Sequence, residues 1–404
     1  VSKPEFKFRV ARAIAEVDPA QWDACANPPD LALPAQDASR RERFNPFIAH
    51  AFLNALETSR SASARAGWAP LHALVEDAKG RLVACAPCYV KSHSMGEYVF
   101  DYAWADAYER AGGRYYPKLQ ISVPFTPAQG RRLLVAPGDD AQAAHAALVA
   151  GLADLRAQVA ASSIHVTFPL ESEARALEAE GYLARTGKQF HFFNRGYRDF
   201  EAFLESLASR KRKMIRRERR EAQEGVEIVR LTGAQITSEH WDAFFHFYMD
   251  TGARKWGQPY LTRDFFTHVG AAMAERILLV MARRAGRWIA GAINFIGNDA
   301  LYGRNWGAIE ERPFLHFEVC YYQAIEFALE RGLQRVEAGA QGEHKLARGY
   351  EPVTTWSAHA IADPRLARAV ADFLVQERAA IAQAIDVYGE HTPFRRDRAR
   401  EDED

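Results

Sequence analysis

The sequence predicts a mixed α/β protein made of two copies of one domain. Three observations carry this: short motifs that recur in the same order, one order of helices and strands shared by both halves, and a strongly basic stretch between them. A repeat on this scale decides the whole architecture. Trp22-Asp23-Ala24 recurs as Trp241-Asp242-Ala243, Asn45-Pro46-Phe47-Ile48 as Gln258-Pro259-Tyr260-Leu261, and Gly80-Arg81-Leu82-Val83-Ala84 as Gly286-Arg287-Trp288-Ile289-Ala290. Trp104 then echoes Trp306, and Gly181-Tyr182 echoes Gly349-Tyr350. Each match is short; their common order makes them a duplication. The spacing between matched positions shrinks along the chain, so the first copy is longer, with an insertion at about 110–142 rich in Gly, Pro and Tyr.

The second copy shows the element order most clearly. Residues 238–250 have a helical apolar period behind a Ser/Glu start, and Thr262 N-caps a second helix. Residues 276–283 and 288–296 are strands around the Ala285-Gly286 turn, and 301–306 is a third. Residues 314–331 read as one long helix, apolar nearly all round and stopped by Gly332. A strand at 333–340, a short helix at 343–348 ending at Gly349 and a strand at 353–361 complete the unit. The first copy follows: a helix at 46–59, a hairpin of 71–76 with 81–91, a strand at 98–104, a helix at 141–160, a strand at 164–168, a helix at 171–180 and a strand at 188–193. The implied domains are 6–197 and 225–388, joined by a basic connector helix at 198–224 and followed by a charged, disordered tail at 389–404.

Composition narrows the function classes. At 48% hydrophobic and 26% charged the chain is globular, not disordered or coiled-coil. Lys+Arg and Asp+Glu are both 52, so no chain-wide attraction to nucleic acid or acidic membrane is expected, and an RNA-binding module is disfavoured. Four cysteines are too few for a disulfide framework. Cys85-Ala-Pro-Cys88 has redox or zinc spacing, but it lacks a second pair and lies in an apolar strand, so all four read as reduced core thiols and no metal is expected. The first residues carry no apolar run of signal-peptide type, and about 18 consecutive apolar residues occur nowhere, so a cytoplasmic protein without membrane insertion is expected.

The element order resembles the GNAT N-acyltransferase fold, and two copies in tandem resemble the FemAB-like branch of that superfamily, which includes peptidoglycan aminoacyltransferases. A closer resemblance is carried by Lys91-Ser92-His93-Ser94, Gly96-Glu97-Tyr98-Val99-Phe100-Asp101, Tyr115-Tyr116-Pro117-Lys118-Leu119 and Pro124-Phe125-Thr126-Pro127 in copy one. In copy two it is carried by Leu301-Tyr302-Gly303-Arg304, Leu315-His316-Phe317-Glu318 and residues 337–345. It covers about residues 20–380. The resemblance implies a tandem GNAT fold with two mixed sheets flanked by helices. It implies transfer of an acyl or aminoacyl group to an amine acceptor, a small molecule or a peptidoglycan or other cell-envelope precursor. It implies acyl-CoA or aminoacyl-tRNA as co-substrate, with no tightly bound cofactor.

Glu337-Ala338-Gly339-Ala340-Gln341-Gly342-Glu343-His344-Lys345 is the densest polar stretch. It runs from a strand end through two glycines into a helix, where a ligand can approach backbone closely. Acylation of an amine needs a base for the ammonium proton and donors for the oxyanion. Glu337, Glu343 and His344 have the chemistry of a base, and His344 is preferred because a neutral imidazole accepts a proton near pH 7. Gln341 suits an oxyanion, and Lys345 a substrate contact. The plainer reading is a strand-to-helix turn capped by Glu343. Copy one has Ile164-His165-Val166-Thr167-Phe168-Pro169 at the equivalent place, so the chemistry is expected in copy two.

Arg304-Asn305-Trp306-Gly307-Ala308-Ile309 partly resembles the loop that cradles CoA pyrophosphate in GNAT enzymes, with Ile309 where a small residue belongs and Glu310 and Glu311 following. Weak CoA binding at Gly307 is therefore expected. That departure also favours the alternative function, a non-catalytic protein recognising peptidoglycan precursors. Arg304 and Trp306 are read as substrate contacts, with a structural ion pair the other reading for Arg304. His316 and Glu318, two apart on the central helix, point to different sides, one into the cleft and one to a partner. The cleft is expected between the copies, with Tyr98, Asp101, Tyr116 and Lys118 on its copy-one wall. Residues 210–221 hold eight Lys/Arg against Glu218 and Glu221. Lys211, Arg212 and Arg216 are candidate contacts for phosphates of tRNA or another co-substrate, the other reading being a solvated connector.

Overall fold

The computed structural model describes residues 5–29, 44–255, 259–340 and 342–395. The first half opens with β1 (Phe6–Ala11), α1 (Pro19–Ala26) and α2 (His50–Thr58). Two long arms follow, each broken once: β2 (Trp68–Pro70) runs into β3 (His72–Asp77), and β4 (Leu82–Ala86) into β5 (Cys88–Lys91). The apolar run at 82–90 is thus two strands, divided at Pro87, which has no N–H for a ladder. Next come α3 (Tyr102–Arg110), β6 (Lys118–Ile121), β7 (Leu134–Val135), α4 (Ala141–Gln158), β8 (Ser163–Thr167), α5 (Glu171–Ala179) and β9 (Leu183–Phe193). The connector is two helices, α6 (Phe200–Ser206) and α7 (Ser209–Gln223). The second half holds β10 (Glu227–Thr232), α8 (Ser238–Lys255), α9 (Arg263–Ala272), β11 (Ile277–Arg284), β12 (Arg287–Ile296) and β13 (Ala300–Ala308). Then α10 (Leu315–Phe317) passes through a π turn (Glu318–Tyr322) into α11 (Gln323–Glu330). β14 (Arg335–Glu337), a 3₁₀ turn (Glu343–Arg348), β15 (Glu351–Ile361) and α12 (Pro364–Glu390) complete the fold.

The mixed α/β class and the two sheets agree with the sequence reading, but the strands are shared out differently. One sheet has the order β1-β3-β4-β7; the other runs through both halves as β10-β11-β12-β13-β14-β9-β15-β8-β6-β5-β2. The halves exchange their last strands. β9 pairs with β14 (His191 opposite Glu337) and with β15, while β15 pairs with β8 (His359 opposite His165). Directly opposed residues share a face, and successive residues alternate. One face of this junction is therefore apolar, through Phe190, Phe192, Val166, Ala358 and Val336, all buried. The other carries His191, Gln189, Glu337, His359, Ser357, His165 and Thr167, also buried.

Three of the motif matches keep equivalent places. Trp22 and Trp241 lie in α1 and α8. Gly80 and Gly286 make the hairpin turns at φ 75° and 77°, and Gly181 and Gly349 end helical segments at φ 92° and 88°, conformations that favour glycine. Trp104 and Trp306 do not match, since Trp104 is in α3 and Trp306 in β13. The expected strand at 98–104 is absent because Tyr98 turns the chain at φ 60° and the Glu97 and Asp101 side chains are drawn inward, so that α3 begins at Tyr102.

Gly307 has a packing duty. A Cβ there would lie 2.2 Å from the carbonyl carbon of Phe247 and 2.6 Å from the amide nitrogen of Tyr248, so α8 rests on bare glycine backbone of β13. Neither atom can swing away. Gly307→Ala is expected to lower stability by roughly 3 kcal/mol, the upper end of ordinary overpacking, read from urea unfolding. A loss under about 0.5 kcal/mol would show that α8 shifts freely.

Candidate functional site

β14 ends at Glu337, and Gly339 (φ 77°) and Gly342 (φ 114°) fold the chain back into the 3₁₀ turn. The exposed imidazole of His344 lies against Gly342, where a Cβ would come within 2.5 Å of the ring. His344 Nε2 is 2.8 Å from the Tyr321 hydroxyl. The rings of Phe317 and His316 stand 5.6 and 6.1 Å from it, centre to centre. The π turn widens the helix by one residue and carries Tyr321 to this position; such turns are frequent at functional sites. His316 packs edge-on against Trp306 at 5.1 Å, and both line a pocket of about 340 Å³ with Thr251, Arg254 and Arg312. His316 thus belongs both to the lining of this pocket and to the ring cluster around His344.

The electrostatics keep this histidine neutral. Partial burial, then the charges of Lys345 and Arg348, hold its pKa below the ordinary value. Burial pushes the Tyr321 phenol far above its usual range, so it stays protonated. Lys345 is buried and faces back into the turn. Its Nζ donates to the carbonyls of Ala338 at 2.6 Å and Gly339 at 3.1 Å, and burial brings its pKa down to about 8. Glu337 is also buried, held by Arg335 Nε at 2.9 Å, and Arg335 in turn binds Asp299 at 2.7 Å. It braces the strand end. Gln341 lies outside the described residues. Glu318 turns to the connector, accepting from Arg219 and Gln223, both at 2.9 Å, so His316 and Glu318 do face different elements.

The space between the copies is largely filled by the chain's own insertion. Residues 121–130 are buried. Gln189 donates to the Pro127 carbonyl at 2.7 Å, Gln129 to that of Thr354 at 3.0 Å, and Arg304 to that of Phe125. Arg304 sits in this recess with Tyr98 and Tyr248 near its guanidinium, and Tyr260 stacks on Phe125 at 4.8 Å. Burial lowers the pKa of Arg304 while these phenols oppose it.

Asp101, Tyr116 and Lys118 come together in a separate, deeper place. The fully buried Lys118 ammonium donates to Ser94 at 2.8 Å, to Glu97 at 2.7 Å and to Asp101, while Tyr115 donates to Asp101 at 2.7 Å and Tyr116 pairs with Ser94 at 2.8 Å. Burial raises Glu97 to about 7 and lowers Lys91, over the Trp68 ring at 3.7 Å, to about 7. Burial alone would also raise Asp101, but Lys118 overrides it and holds the carboxyl low. This network fixes the 94–101 segment onto β6.

Next to it, His165 and His359 meet across the β8–β15 junction with their Nδ1 atoms 2.7 Å apart, each Nε2 paired with a serine. Two neutral rings share one proton there. Burial lowers the His165 pKa to about 3 and takes His359 well below its normal value. Unfolded histidine titrates near about 6.5, so between pH 6.5 and 3 the unfolded chain binds more protons at these sites. Their contribution to stability is therefore present above about 6.5 and is lost as pH falls. Glu97 and Glu173, both raised by burial to about 7, act in the opposite direction. The histidine part is isolated by comparing wild type with a His165→Gln/His359→Gln variant: the thermal midpoint of wild type should fall more steeply from pH 7 to 5. Parallel slopes would contradict it.

On α7, Arg216 is exposed and tied to Glu201 at 2.6 Å, while Lys211 and Arg212 are half-buried near its start. Sequence reasoning missed Phe317, Tyr321, Arg348 and Glu218. The aromatic pair reads as ordinary helix core, whereas Glu218, an acid inside a basic run, is a visible anomaly.

Comparison with known proteins agrees with this fold. No curated protein matches the chain. Among solved structures, FemX is 13% identical, with 84% of this chain and 99% of that one covered at a TM-score of 0.52. The C-terminal domain of a putative lysylphosphatidylglycerol synthetase from Agrobacterium fabrum is 9% identical, covering 90% and 97% at 0.50. A tandem GNAT protein from the clavulanic acid biosynthesis pathway is 15% identical, covering 89% and 99% at 0.47. Among the described residues no helix is long and apolar enough to cross a membrane. Residues 13–396 match the FemAB-like family, described as peptidoglycan biosynthesis/recognition, and the chain belongs to that family.

Proposed function

We propose that the protein transfers an acyl or aminoacyl group to an amine of a cell-envelope precursor, at the groove formed by Trp306, His316, Tyr321 and His344. The observation that carries this is the neutral, exposed His344 paired with a buried phenol beside an open pocket. With Nε2–H given to the Tyr321 oxygen, His344 Nδ1 holds the lone pair. The amine nitrogen attacks the acyl carbon, the bond from that carbon to the leaving sulfur or oxygen breaks, and the ammonium proton passes to His344. The Tyr321 hydroxyl gives its proton to the leaving group and takes the Nε2 proton of His344 in its place.

The donor is acyl-CoA or aminoacyl-tRNA. Arg254 and Arg312 line the pocket together with Glu310 and Glu311; Arg254 is paired with Asp250 at 2.6 Å and with Glu311 at 3.4 Å, which leaves Arg312 to meet the donor's phosphates. Glu310, expected to repel them, is bound by Arg287 at 2.6 Å and Arg284 at 3.4 Å, which also lower its pKa. The packing role of Gly307 favours a second reading, recognition of a precursor without transfer, because no glycine cradle is left for a pyrophosphate. Incubating the purified chain with acetyl-CoA, then with a set of aminoacyl-tRNAs, and screening precursor amines by mass spectrometry separates the two. Transfer predicts an acceptor heavier by one acyl or aminoacyl group; saturable acceptor binding with no mass change from any donor supports recognition.

A further inference from the structure

His344 sits on a glycine-flanked turn, and part of what fixes it comes from the basic helix. Glu218, on the inward side of α7, is 4% exposed. Its carboxylate accepts from Arg348 Nε at 3.1 Å and Nη2 at 2.8 Å, and from the Tyr322 hydroxyl. Arg348 Nη1 donates to the carbonyl of His344 at 2.7 Å. The same guanidinium lies 3.4 Å from the centre of the Phe317 ring, which flanks the imidazole. A forked guanidinium–carboxylate contact fixes direction as well as distance, which a lysine cannot do.

We propose that Arg348 and Glu218 are positioning residues for the proton-accepting step, through which α7 sets both the placement of His344 and the charge around it. The proposal rests on reading the groove as the transfer site; neither residue touches substrate. The other titratable groups around His344 are Lys345, whose charge reaches it from within the turn, the neighbouring Glu343, and His316 and Tyr321 on the helix opposite, with Lys188 and Tyr388 reaching Glu343 from β9 and α12. Arg348 is the one whose charge is balanced from α7.

The test is a ¹⁵N-histidine NMR titration of the full chain without substrate, with His344 assigned by its loss in His344→Gln. Arg348→Gln removes a cation beside the ring, so the His344 midpoint should move up. Glu218→Gln leaves the Arg348 charge uncompensated, so it should move down. Arg348→Lys keeps the charge but loses the fork, so the midpoint should stay near wild type while the tautomer signals average. Should Arg348→Gln fail to fold, the opposite-signed Glu218→Gln carries the test. Midpoints that stay put in folded variants, or that all drift up to the free-imidazole value, would overturn the proposal by showing a pair that only holds the fold together. Because no substrate is present, a protein that transfers nothing still answers this question.

Discussion

His344→Ala is expected to lower turnover about 10²–10⁴-fold, the usual contribution of a positioned general base, with little change in folding stability. His344 is exposed and makes one side-chain hydrogen bond, to Tyr321, so its removal leaves no cavity. The turn that bears it is held by backbone and by neighbours, through Lys345 on the Ala338 and Gly339 carbonyls and Arg348 on the His344 carbonyl, and these contacts survive the substitution. Turnover measured by product mass and stability by urea unfolding should therefore separate. A variant retaining more than about a third of wild-type turnover would remove His344 from the chemistry. Glu337 is a poor replacement, since its carboxylate is already committed to Arg335 in a buried pair.

Lys118→Met is expected to cost about 3–5 kcal/mol of stability, the typical loss when one partner of a buried ionic network is removed. Lys118 is fully buried, and its ammonium is the shared partner of Glu97 and Asp101. Without it two carboxylates stand in a water-poor site, where among the described residues Lys91 lies 3.8 Å from Glu97 and the buried His165 lies near Asp101. The rest of the site predicts a rescue. Adding Glu97→Gln and Asp101→Asn removes the uncompensated charge, and most of the lost stability should return. Urea unfolding of the single and triple variants decides this; a single variant within about 1 kcal/mol of wild type would mean that water reaches the cluster.

The parts of the fold that were legible in the sequence are those set by local rules. Hairpin glycines at Gly80 and Gly286, the Thr262 cap, and the helix ends at Gly181 and Gly349 are each dictated within a few residues. The strand exchange was not legible, because a strand such as β9 has the same alternation whichever half it pairs with. The 98–104 segment was misread for a related reason: its aromatic run suits a strand, but a lysine about twenty residues on draws Glu97 and Asp101 inward and turns the chain. At the candidate site, the glycine-bracketed polar run located His344 correctly on a turn after a strand. Tyr321 was hidden, because a π turn shifts the helix register and no sequence period announces it.

We place the chemistry in the copy-two groove and not in the recess between the copies, where residues 121–130 are packed. A crystal structure with a non-hydrolysable acyl-donor analogue and an amine acceptor tests it most directly. The acyl carbon is expected within reach of His344 and Tyr321, with the donor's tail running past Trp306 and His316 into the pocket edged by Arg254 and Arg312. Both ligands seated instead around Arg304 and Tyr98, with residues 121–130 displaced to admit them, would contradict it.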